Sequence, residues 1–278
     1  MNCLWQRSWH LQVERSGSSL ISSCHYLDTY EEKRAVLEVN IQDFSIKKAE
    51  MIRLGHPGNY QENIESFDGL RGVTAYPGSG PEIRRILGSL VSAADRELIN
   101  QCIIGAFQAE TFIYKERGFA SAEEYDQSGD EFLKGTCSYY SNLERITNTW
   151  SGYIGDSLRE KYLFDRFKSQ HLLTAGDDYW LIGSLNDTFH EVSTVLQLAK
   201  SNQQVQAAWG ELLRAPDQVC RESTSFVSCL TGINISQISK KELAHLLGAQ
   251  KGCVHLIDTI FDSAETLRLY LQNIQIKD

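Results

Sequence analysis

The chain has 278 residues, with 27 Lys+Arg against 36 Asp+Glu and a formal net charge of −9. That acidic balance argues against nucleic acid or an anionic membrane surface as a partner. A hydrophobic content of 42% with only four prolines supports a packed core rather than long disordered linkers, and the length allows one large domain or two of ordinary size.

Apolar runs such as Leu98-Ile99 through Phe112-Ile113 are broken by polar residues well short of a membrane span, and the first ten residues lack the apolar stretch of a signal peptide. A cytoplasmic location is therefore the default expectation. Seven cysteines, at 3, 24, 102, 137, 220, 229 and 253, are scattered with no CxxC pair. In a reducing compartment they are expected to be thiols, mostly small core residues, Cys229 among them.

The first half reads as an antiparallel meander. Trp9 to Val13, Ser19 to Asp28, Ala35 to Ile41 and Ile46 to Ile52 are predicted strands, and His56-Pro57-Gly58 ends the sheet. Helices follow over Tyr60 to Leu70, Ile83 to Leu87 (opened by Gly80-Pro81-Glu82 and closed by Gly88) and Asp95 to Glu116. Residues from about Phe119 to Asn142 read as a helical connector, with Ser121-Ala122-Glu123-Glu124 as a capping box. Strands are then predicted over Arg145 to Trp150, Tyr162 to Leu173, Tyr179 to Leu185 and His190 to Leu198. The remaining predicted elements are helices over Gln203 to Leu213, Val219 to Leu230, Lys240 to Leu247 and His255 to Gln272.

This order suggests a duplication. Ile41-Gln42-Asp43 matches Leu185-Asn186-Asp187, Leu54 matches Leu198, Leu70-Arg71-Gly72-Val73 matches Leu230-Thr231-Gly232-Ile233, and Ile83 to Gly88 matches Leu243 to Gly248. The expected fold is α+β: two pseudo-repeats, each a small antiparallel sheet of three to four strands covered by helices on one face. The expected domains are a first repeat over 1–118, a connector over 119–142 and a second repeat over 143–278.

The candidate chemistry lies in Gly252-Cys253-Val254-His255, with Cys220 upstream. A cysteine at a helix start meets unpaired backbone N–H groups and the positive end of the dipole, and Lys251 stands beside it; each favours thiolate. Cys220, Cys253 and His255 form a candidate metal-ligand set, suited to zinc, iron or an iron–sulfur cluster. Two residues turn a helix by about 200°, so Cys253 and His255 can share an ion only if Cys253 precedes the helix. In the matched first half, Tyr60, Asp95 and Glu97 stand at the three positions, so the site belongs to the second half alone. His25 and His171 read as strand residues. Asp177-Asp178 reads as a hairpin turn that offers at most one further oxygen ligand. No GxSxG, phosphate-loop, GxGxxG or HExxH pattern occurs.

The second half resembles a bacterial domain of unknown function whose members carry a strand meander, a cysteine before a short helix and a Gly-Cys-Thr-His-Leu signature, here Gly252-Cys253-Val254-His255-Leu256. That layout is in turn similar to NifU-type iron–sulfur scaffold domains, although no cysteine occupies the hairpin around Gly176-Asp177-Asp178 and the Cys and His stand in the opposite order. The resemblance implies a non-catalytic accessory protein that binds a metal or cluster through the second repeat, with another protein as partner. The alternatives are a metal-free protein- or ligand-binding module using the cleft between repeats and, below it, an enzyme with Cys253 as nucleophile and His255 as base.

Overall fold

A computed structural model of the chain describes residues 1–55, 62–88, 91–155 and 159–277. The predicted sheet end at His56-Pro57-Gly58 and the position of Tyr60 lie outside them. Among the described residues are nine strands: β1 (Asn2–Ser16), β2 (Ser19–Asp28), β3 (Glu32–Asn40), β4 (Ile46–Leu54), β5 (Asn63–Ser66), β6 (Tyr162–Ala175), β7 (Asp178–Asp187), β8 (Glu191–Ala199) and β9 (Val205–Arg214). They form one sheet, in the order β5-β4-β3-β2-β1-β6-β7-β8-β9. The expectation of two separate small sheets is therefore wrong. One match behind it falls on unlike structure, since Ile41-Gln42-Asp43 is the turn after β3 and Leu185-Asn186-Asp187 the end of β7. The others fall on like structure: Leu54 and Leu198 both lie at strand ends, Gly72 and Gly232 both take a positive φ, and Ile83 to Gly88 and Leu243 to Gly248 both run to the end of a helix.

Among the described residues seven α-helices accompany the strands: α1 (Gly80–Leu87), α2 (Ala93–Ala109), α3 (Ala122–Phe132), α4 (Trp150–Ile154), α5 (Gln218–Glu222), α6 (Lys240–Leu246) and α7 (Val254–Lys277). Three sequence expectations fail here. Gln203 to Leu213, predicted helical, holds β9. The described part of Tyr60 to Leu70 holds β5 and a 3-10 turn, and Arg145 to Trp150 leads into α4 instead of forming a strand. The β9 segment is rich in Gln, Ala, Glu and Leu, all good helix formers. Ladder pairing with β8, from Leu198↔Val205 to Glu191↔Arg214, overrides that preference.

The chain divides into two compact units. One comprises Trp9–Tyr125 and Asp156–Phe167. In it α2 packs on β2 and β3, burying Leu98, Ile99, Cys102, Ile103 and Ala106 at helical spacing. A Cβ at Gly105 would stand 2.9 Å from Val13, so the glycine permits that close approach.

The other unit comprises Met1–Ser8, Asp126–Gly155 and Lys168–Asp278. Here α7 packs on β7 and β8. Leu256, Ile260, Ala264 and Leu267, spaced four, four and three residues apart, are buried with Leu181, Leu185, Val192 and Leu196 of the strands. This packing brings the start of α7 to the turn that joins β7 and β8.

Candidate metal centre

The approach to α7 is built by glycine. Ser239 opens α6 with a capping box to Glu242, and Gly248 ends that helix at φ 93°, a left-handed conformation that L side chains rarely adopt. A Cβ at Gly252 would lie 2.1 Å from the Leu247 carbonyl oxygen, so no other residue fits without moving the backbone. The resulting tight turn delivers Cys253 immediately before α7 and His255 as its second residue. Cys253 thus stands outside the helix, as a shared site requires, and its Sγ lies 4.0 Å from His255 Nδ1.

Cys220 lies in α5, behind the Asp217 cap. The two predicted cysteines are neighbours, joined by one the sequence did not single out. Ser138 donates its backbone N–H to Gly252 O at 2.8 Å and its hydroxyl to Val219 O at 2.7 Å, which sets Cys137 beside both. The three thiols lie close enough to influence one another electrostatically. The expectation of thiolate is reversed: burial pushes the Cys253 thiol up to about 12, with Cys137 and Cys220 adding to the rise, and burial pushes Cys220 up to about 12 as well. Desolvation thus outweighs the helix start. Cys229, expected in the core, is exposed.

The donor atoms that converge are partly different ones. Asp187, His190 and His255 each place a ligand atom within 4.8 Å of the others. Among the described residues, no thiol belongs to that set. Asp187 ends β7, and its Oδ1 accepts the backbone N–H groups of Phe189 (2.8 Å) and His190 (2.7 Å), so it shapes the turn as well. The same oxygen lies 3.2 Å from His190 Nδ1. A proton on Nδ1 makes that contact a hydrogen bond; in the other tautomer the Nδ1 lone pair stands beside the carboxylate, and both can face one ion.

The His190 and His255 rings stack with centroids 3.8 Å apart and planes 28° apart. Trp150 and Phe189 wall the His190 ring, and Tyr153 donates its hydroxyl to Phe189 O at 2.6 Å. Arg214 grips the turn from its backbone side, donating to Asp187 O at 2.5 Å and His190 O at 3.3 Å. Asp187 and His190 are buried, whereas His255 is half-buried and opens the group to solvent.

The other titratable candidates have local partners. His25 lies 2.8 Å from Glu32, and Asp178 Oδ2 accepts from Gln197 at 2.7 Å. Asp187 and His190 went unnoticed in the sequence because Asp-Thr-Phe-His reads as a turn, and more than sixty residues separate it from His255. The visible signal was the pairing of an acid and a histidine three residues apart with a second histidine at a helix start.

Residues 181–268, which hold this whole donor set together with Cys220 and Cys253, match the model of a family described as a protein of unknown function, DUF2889. No curated protein and no solved structure matches the chain. The likeness to iron–sulfur scaffold domains accordingly gains no support from the comparisons. Among the described residues, no helix is long and apolar enough to cross a membrane.

Proposed function

We propose that the region matching the family of unknown function is a metal-binding module, acting as a non-catalytic accessory protein, that holds one divalent transition-metal ion through Asp187, His190 and His255. The observation that carries this reading is the convergence of two imidazoles and a carboxylate within 4.8 Å on a preformed turn and helix start. Two nitrogens and an oxygen suit zinc, cobalt or ferrous iron better than calcium or magnesium. The stacked rings must splay for both nitrogens to aim at one ion. His255, half-buried at the first turn of α7, is the ring with room to turn, while Asp187 and the aromatic wall hold His190. Cys253 and Cys220 remain candidates for a softer ion, since a bound metal displaces thiol protons.

A second reading, a metal-free binding module, is favoured by one observation: Cys220 and Cys253 belong to the apolar core. Metal analysis of the anaerobically purified protein separates the two. One equivalent of a transition metal, lost in His190→Ala and His255→Ala but retained in Cys220→Ala, supports the ion site. Metal-free wild-type protein that gains nothing on incubation with zinc or cobalt supports the second reading.

A further inference from the structure

Resting on the metal reading above, we infer that the ion held by Asp187, His190 and His255 keeps an exchangeable coordination position and binds a small oxygen-donor anion there, of the carboxylate or hydroxamate class. The protein supplies three converging donors, whereas first-row divalent ions take four or more. A candidate for a fourth, Cys253, lies 4.0 Å from His255 Nδ1 but falls outside the converging set. Three protein donors with the remaining position left to water or an added ligand is the pattern of open sites, as four protein donors is that of closed structural ones.

Charge selects the kind of ligand. Two neutral imidazoles and the Asp187 carboxylate offset one of the ion's two positive charges. Arg214, bonded to the carbonyls of Asp187 and His190, adds positive charge at the same turn. Its buried Nε has no hydrogen-bond partner. An excess of positive charge in a partly desolvated place favours an anion over water. Access runs past half-buried His255 and exposed Val254, while Trp150 and Phe189 close the far side and restrict the ligand to a small one.

The test is visible absorption of the cobalt(II)-loaded full chain, titrated with acetate and with acetohydroxamate. The expected result is a saturable shift of the cobalt d–d bands by either anion, no sulfur-to-cobalt charge-transfer band, and the same shift in Cys253→Ser. Bands that bind cobalt stoichiometrically but ignore both anions overturn the open position and leave the metal reading standing. A charge-transfer band that disappears in Cys253→Ser overturns it too, by showing that the thiol closes the site. A chain that takes up no cobalt defeats both readings at once.

Discussion

Two helix starts in this protein carry polar groups into largely buried surroundings, and they solve the problem in opposite ways. At α2, Ser92 caps the helix by accepting the Asp95 N–H at 3.0 Å. The Asp95 carboxylate meets Lys33 Nζ at 3.0 Å and Arg53 at 3.0 Å, and Arg53 also holds Glu65 at 2.8 Å. Every charge there has an opposite charge within reach. At α7 the corresponding groups are thiols and imidazoles beside a single carboxylate, and Arg214 is bonded there to backbone carbonyls. The first corner is a closed ionic knot that holds one unit of the fold together. The second leaves lone pairs converging, which is what a ligand site needs and a purely structural corner does not.

The comparison breaks most sharply at the ligands. His190→Ala or His255→Ala should weaken zinc affinity by more than the roughly 10- to 100-fold that loss of a supporting residue costs a metal site. Asp95→Ala should leave it unchanged; titration calorimetry of the three variants measures the contrast. Gly252→Ala comes next. Its new methyl group meets the Leu247 carbonyl, so we expect a lower melting temperature and reduced zinc binding together, because the same turn positions His255.

Asp95→Ala acts on stability instead. It removes the buried carboxylate beside Lys33, whose side chain is 7% exposed, and leaves the amine to exposed Glu31 at 2.8 Å. The loss should therefore stay below the about 3–5 kcal/mol of a fully stranded buried charge, to be read from urea unfolding at neutral pH. Acid should sharpen the same point. Burial alone would raise the Asp95 carboxyl, but Lys33, Arg53 and Ser92 together hold it below the usual carboxylate range. A carboxyl depressed in the folded state contributes its stability above the unfolded pKa of about 3.9, and that contribution is lost as pH falls through the lower folded value. The gap in urea midpoint between wild type and Asp95→Asn should accordingly narrow as pH drops below about 4. An unchanged gap at low pH would show that the pair contributes nothing through its charge. Cys220→Ala should be the mildest change, costing about 1 kcal/mol from lost packing and nothing in zinc affinity.

Much of the α7 corner was legible in the sequence because its determinants are local. Gly248 and Gly252 mark a turn, Ser239 and Glu242 mark a helix start, and Cys253 and His255 sit where a glycine turn feeds a helix. The partners of His255 were not legible. Asp187 and His190 reach it only because α7 packs on β7 and β8, a long-range contact without a local signature. The thiolate expectation failed for a related reason: a helix start is visible in sequence, whereas the desolvation that overrides it depends on what packs around Cys253. The sheet was misjudged at β9, whose residues favour helix until a neighbouring strand pairs with them. The two-sheet expectation failed because local alternation identifies strands but does not say which strands adjoin.

The central claim is that Asp187, His190 and His255 share one ion. Zinc titration calorimetry of the wild-type chain beside the His190→Ala/His255→Ala double variant tests it most directly. The account predicts one site per chain in the wild type and none in the double variant. Equal binding by both, or none by the wild type, would contradict it.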